Sequence, residues 1–125
     1  MDESKLYELM DEYRNPPHLG KPKDYDALEE GSSASCGDRF TVYLKLSGGT
    51  VKSADFEGSG CVISTVCMSR VCGAISGKTK EQIRSMDIKD VKKLIGIDQI
   101  STSRISCAML GLETIKKALA DKKRM

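Results

Sequence analysis

The sequence predicts an α+β fold, an antiparallel sheet with helices packed on it, and three observations predict it. Phe40, Val42, Leu44 and Leu46 alternate with Arg39, Thr41, Tyr43 and Lys45, the period-two pattern of a half-buried strand. Gly48-Gly49 separates this run from a second, Thr50 to Phe56, and glycine's access to positive φ makes the two a hairpin. Beyond Gly58-Ser59-Gly60, which is expected to break the second strand, the apolar spacing becomes helical.

The other elements follow in order. Leu6, Leu9, Met10 and Tyr13 recur at helical spacing over residues 3–13, with Ser4 as a candidate cap. Asn15-Pro16-Pro17 ends that helix, because proline lacks the N–H and restricts the residue before it. From His18 to Gly31 the chain is polar and rich in turn formers, which predicts a surface loop running into Gly31-Ser32-Ser33-Ala34-Ser35. Cys61 to Ile75 reads as a helix with Ile63, Cys67, Val71 and Ala74 on one stripe, closed by Gly77. A short helix from Thr79 to Arg84 and a second from Ile88 to Ile95, capped by Asp87, come next, and Gly96 to Ser103 reads as a loop. The last helix is expected from about Ser106 to Asp121, with Ala108, Leu112, Ile115 and Leu119 inward. Lys116, Lys117, Lys122 and Lys123 lie toward its C-terminus, where the helix dipole favours positive charge.

The length, 125 residues, suits a single domain over 1–125. A net charge of +2 and the lack of Trp argue against a nucleic-acid partner, for want of both a basic field and stacking platforms. Met1-Asp2-Glu3-Ser4-Lys5 carries no basic, then apolar, leader pattern, and no apolar run is long enough to span a bilayer. The expectation is a cytoplasmic protein with no membrane association. Five cysteines, an odd count in a reducing compartment, do not suggest a disulfide framework.

The neighbours of each cysteine divide them. Cys36 stands in Cys36-Gly37-Asp38, before the long strand. In extended chain Cys36 and Asp38 project to the same side, where a cation between them would relieve the repulsion of thiolate and carboxylate. Cys61 follows Gly58-Ser59-Gly60 and opens a helix, whose free N–H groups stabilise a thiolate. Cys107, after Arg104-Ile105-Ser106, is expected at a helix start for the same reason, with Arg104 adding positive charge. Three thiols at three element boundaries with one acidic partner point to a site holding a metal ion or an iron–sulfur cluster on Cys36, Asp38, Cys61 and Cys107. Cys67 shares the apolar stripe and reads as core, whereas Cys72 lies about 140° round the helix, open to solvent and without a ligand partner. His18, the sole histidine, would have to serve any Cys–His catalytic pair, and its Pro-bounded loop is far from the cysteines in sequence.

Several segments together resemble the NifU/IscU/SufU family of iron–sulfur cluster scaffolds, over most of the chain. They are Asn15-Pro16-Pro17-His18-Leu19-Gly20, Ser35-Cys36-Gly37-Asp38, Phe56-Glu57-Gly58-Ser59-Gly60-Cys61 and Ser106-Cys107-Ala108-Met109-Leu110. The resemblance implies a small antiparallel sheet of about three strands with packed helices, IscU/NifU-like. It implies ligation of a transient [2Fe–2S] cluster or of Zn2+ by Cys36, Cys61 and Cys107, with Asp38 in or near the coordination sphere. As partners it implies a cysteine desulfurase and apo iron–sulfur acceptor proteins, around a monomer or weak homo-oligomer. It implies a scaffold rather than an enzyme, with persulfide acceptance by Cys36, Cys61 or Cys107, and a SufU-like zinc-dependent sulfurtransferase as the alternative. The bacterial IscU branch has His before its third cysteine, where this chain has Ser106, and a Leu-Pro-Pro-Val-Lys chaperone loop where this chain has Ile100-Ser101-Thr102-Ser103-Arg104. Ser103-Arg104 looks more like the SufU branch, yet the insertion usual there between the second and third cysteines is missing.

Overall fold

The alternation about Phe40–Leu46 does build the central strand. The computed structural model describes residues 3–33, 37–96 and 102–123. Its elements are α1 (Glu3–Arg14), β1 (Ala27–Ser33), β2 (Asp38–Ser47), β3 (Thr50–Ser59), α2 (Val62–Ile75), α3 (Lys80–Arg84), α4 (Ile88–Ile95) and α5 (Thr102–Lys123). The strands form an antiparallel meander in the order β1-β2-β3, so the class predicted from the sequence holds. Phe40, Val42 and Leu44 of β2 and Phe56 of β3 are fully or almost fully buried, and the two Phe rings meet edge to face, 5.8 Å between centroids. Helices α2 and α5 cover this face and pack on each other, α2 toward β3 and α5 toward β1 and β2. Among the described residues no helix is long and apolar enough to cross a membrane.

Three sequence expectations need correction. The first is β1, which occupies the end of the expected loop. Ala-Leu-Glu-Glu-Gly-Ser-Ser contains no β-branched or aromatic residue and so lacks strand propensity. It is a strand because β2 offers a full partner, from Ala27 opposite Leu44 to Ser33 opposite Asp38, and because α5 docks on it. Gly31 makes that docking possible, since a Cβ there would collide with the Thr114 hydroxyl of α5. The second is β3, which does not break at Gly58: Gly58 still pairs with Phe40, and Ser59 with Arg39. The third is α5, which begins at Thr102 rather than near Ser106. Ser and Thr side chains compete for backbone hydrogen bonds and read as loop or cap, which hides a helix start from sequence.

Helix α2 is an interior helix. Ser64 to Ser69 are six consecutive buried residues, so its surroundings are protein on every side rather than along one stripe. Cys72, expected at the surface, is accordingly fully buried. Helix α1 is held on α2 by buried Leu9 and by Glu12, whose carboxylate takes the Arg70 Nε–H at 3.1 Å. Arg70 donates a further bond to the Leu94 carbonyl at 2.7 Å, tying α1, α2 and the end of α4 together. The loop after α1 is pinned to the outer edge of β3: Phe56 N–H donates to His18 C=O at 3.0 Å and Gly20 N–H to Phe56 C=O at 2.7 Å.

Candidate metal centre

Asp38 opens β2 and is 1% exposed. A carboxylate tolerates such burial only with partners. It has one, the Cys61 backbone N–H, which donates to Oδ1 at 2.8 Å. The other oxygen, Oδ2, is buried with no hydrogen-bond partner. An orphaned buried acceptor costs about 1–3 kcal/mol, so this atom calls for a ligand.

Cys61 caps α2. Its backbone is extended, at φ −72° and ψ 171°, and its sulfur accepts the Ser64 N–H at 3.4 Å, the task usually given to a Ser, Thr or Asp oxygen. The Ser64 hydroxyl lies 3.5 Å from the same sulfur and donates to the Cys61 carbonyl at 3.1 Å. The predicted helix-N-terminal setting is therefore found at Cys61. Sequence reasoning missed Ser64, which carries no capping-box signal because that pattern needs Glu or Gln three residues after the cap. Gly60 closes the arrangement. A Cβ on it would lie 2.5 Å from both Asp38 Oδ1 and Ser64 Oγ, so only glycine fits between them.

Cys107 is fully buried and stands five residues inside α5, not at its start. The dipole argument made for it from sequence therefore fails. Its place comes from the docking of α5, which brings its sulfur to the other two residues. The ligand atoms of Asp38, Cys61 and Cys107 all lie within 4.8 Å of one another, two buried and one half-buried. Cys61, Cys67 and Cys72 are free thiols, whereas Cys107 is held in a disulfide, so its sulfur becomes a ligand on reduction. Cys36 lies outside the described residues, as do residues 97–101 and the side chain of Arg104. Gly37, beside Cys36, adopts φ +70° and turns the chain into β2.

The donor set fits a soft or borderline cation. Two sulfurs and one unpartnered carboxylate oxygen suit Zn2+ or iron, and a fourth donor would complete a tetrahedron. Of the described cysteines, Cys67 and Cys72 do not join it. Burial pushes the Cys67 thiol up to about 12, only partly opposed by Arg70, and burial pushes Cys72 up as well. Both are core thiols, as the sequence indicated for Cys67. His18 is half-buried against α2, its Nε2 about 3.1 Å from where a Cβ of Gly73 would be, and it is not part of the converging group.

Fold and site together define a class: an α+β domain carrying a sulfur–carboxylate centre built from three elements. The chain matches the NifU-like N terminal domain over residues 5–125, and it belongs to that family. It is 35% identical over 126 residues to the iron–sulfur cluster assembly scaffold protein IscU of Thermotoga maritima, covering 89% of each chain. It is 33% identical over 129 residues to the zinc-dependent sulfurtransferase SufU of Bacillus subtilis, covering 90% of this chain and 86% of that one. The crystal structure of FiSufU from Fervidobacterium islandicum AW-1, assigned to iron–sulfur cluster assembly in the SUF system, superposes with a TM-score of 0.73. It is 28% identical, and the match covers 89% of this chain and 93% of that one.

Proposed function

We propose that this chain is an iron–sulfur cluster assembly scaffold. It accepts sulfur from a cysteine desulfurase, builds a labile cluster on Cys36, Cys61, Cys107 and Asp38, and passes it to apo-proteins. The observation that carries the reading is the convergence of Asp38, Cys61 and Cys107 around an orphaned carboxylate oxygen. Membership of the NifU-like family and the likeness to IscU and SufU proteins support it.

The division of labour follows from ligand chemistry. Thiolates bind iron firmly, and a carboxylate is a harder and weaker partner for a cluster. Asp38 offers one oxygen, because Oδ1 is already held by Cys61 N–H. This makes Asp38 the ligand that lets the cargo leave. Ser106 stands where the IscU branch has His, so the fourth donor in this chain is Asp38 or a group from outside. The working unit is one domain over 1–125, cytoplasmic, monomeric or weakly self-associating, with the desulfurase and the apo-acceptors as its partners.

A second reading is favoured by the nearly equal identity to the zinc-dependent sulfurtransferase and by Ser106. In it the same four residues hold Zn2+, which when bound would keep its thiolate ligands deprotonated. Sulfur from the desulfurase is then accepted on one of these cysteines.

The test is anaerobic reconstitution of the reduced protein with ferrous iron, cysteine and a cysteine desulfurase. Visible spectra and transfer to an apo-ferredoxin are the readouts. A transferable cluster, absent from Cys36→Ser, Cys61→Ser and Cys107→Ser, establishes the scaffold. Tightly held zinc with accelerated desulfurase turnover and no cluster establishes the sulfurtransferase.

A further inference from the structure

A cavity of about 310 Å³ adjoins the metal centre and takes no part in it. It lies between the end of α1 (Tyr13, Arg14), the following loop (Pro16, Leu19) and the turn from β3 into α2 (Gly58 to Gly60), with Thr65 of α2 on its wall. Gly60 borders both spaces: it lines the cavity, and its missing Cβ is what leaves room for Asp38 Oδ1 and Ser64 Oγ. Thr65 is one helical turn beyond Cys61. The cavity wall thus passes beside Cys61 through Gly60 and Thr65, and Cys61 is the half-buried one of the three free thiols among the described residues.

Its chemistry is that of a small organic anion's site. Among the described residues that line it, Arg14 alone is a charged side chain, and it presents the planar donor fork of a guanidinium. Its ion pair with Asp11 is marginal, 4.0 Å between side chains 69% and 83% exposed, so the fork is available to a carboxylate. Tyr13, Pro16 and Leu19 supply apolar walls suited to a short methylene chain. Thr65 is 6% exposed, and its buried hydroxyl has no hydrogen-bond partner. The loop wall is already in place, because His18 and Gly20 are hydrogen-bonded to Phe56 on either side of Leu19. The volume is at the lower end of small-molecule sites, roughly 300–1,000 Å³.

We propose that this cavity is a subsite for a low-molecular-weight thiol bearing a carboxylate. Arg14 takes the carboxylate, and the bound molecule's sulfur is presented next to Cys61. The proposal rests on the place of Cys61 in the proposed function, but it is tested without metal, so that the two ideas fail separately.

The test is charge-selective labelling of the reduced, metal-free chain. Cys61 is alkylated with iodoacetate or with neutral iodoacetamide, and the rate at each cysteine is read by peptide mass spectrometry. The ratio of the two rates at one thiol cancels that thiol's own ionisation. In Arg14→Gln the iodoacetate-to-iodoacetamide ratio at Cys61 is expected to fall about threefold to fivefold, a size set by one charge at close range near water, while the ratio for a free small-molecule thiol added to the same reaction stays unchanged. In addition, 3-(methylthio)propionate, a carboxylate thioether that cannot be alkylated as a thiolate, should saturably slow iodoacetamide at Cys61 in the wild type and not in Arg14→Gln. Equal ratios in both proteins, or protection that is non-saturable or the same at every cysteine, overturn the subsite.

Discussion

Helix α2 carries cysteines of two kinds, and the difference between them is position alone. Cys61 caps the helix, half-buried, its sulfur taking the Ser64 N–H and its backbone N–H held by Asp38. Cys67 and Cys72, six and eleven residues on (67 − 61 and 72 − 61), are surrounded by core, with burial pushing both thiols up. An identical side chain is a candidate ligand where donors and an acid surround it. Among Val66, Met68 and Val71 it is a small apolar filler.

The sharpest way to break this contrast is to exchange the roles. Cys61→Ser in the reduced protein should abolish retained iron or zinc after gel filtration, while Cys67→Ala retains it in full. Metal content by atomic emission decides, and equal retention would erase the distinction. Next in size, Gly60→Ala forces a Cβ against Asp38 Oδ1 and Ser64 Oγ. Displacing groups that orient ligands costs about 10–100-fold in metal affinity, measurable by chelator competition. Asp38→Ala should act in the opposite sense on a loaded cluster, prolonging its lifetime and slowing transfer to an apo-ferredoxin. Faster cluster loss in this variant would show that Asp38 retains the cargo rather than releasing it. Asp38→Asn keeps an acceptor for Cys61 N–H and so separates this ligand effect from that lost bond.

Smaller effects fall on the core thiols. Cys67→Ala should lower unfolding free energy by about 1–2 kcal/mol through lost packing, with metal affinity unchanged. Cys67 also has a pH signature. Its folded thiol titrates near 12 against an ordinary 9.0, so the proton is held longer in the folded state. Below pH 9 folded and unfolded chains both carry it and stability is at its full value. Between 9 and 12 the unfolded chain ionises first, and stability falls as pH rises. Urea midpoints at pH 8.5 and 10.5 should therefore drop less in Cys67→Ala than in the wild type.

What was legible in the sequence was whatever rests on period and capping. The alternation from Phe40 to Leu46, the hairpin glycines, the helix starts near Cys61 and Thr79 and the cap at Asp87 are found where expected. What was not legible depends on tertiary partners. Strand β1 has the composition of a loop and is made a strand by β2 and α5. Cys72 looked exposed because a one-stripe reading assumes a surface helix, and α2 is buried over more than one face, from Ser64 to Ser69 and again at Val71, Cys72 and Ile75. For the site, Asp38 and Cys61 could be argued from local chemistry. Cys107 was named on a helix-start argument that the longer α5 removes, and only its place among the family motifs pointed to a position beside Asp38 and Cys61. Ser64 and the demand for glycine at 60 appear only once side chains are placed.

The placement of Cys107 within α5 makes the centre a gauge of tertiary order. Its three described donors come from a strand start, a helix cap and the inside of a third element, separated by 23 and 46 residues along the chain (61 − 38 and 107 − 61). No local stretch can bring them together, so any ion bound by all three would be linked to the docking of α5 on the sheet. A single residue's rotation, 100° about the helix axis, would carry that sulfur out of reach. The Phe40–Phe56 contact, by contrast, is made within the hairpin itself and does not depend on where Cys107 sits.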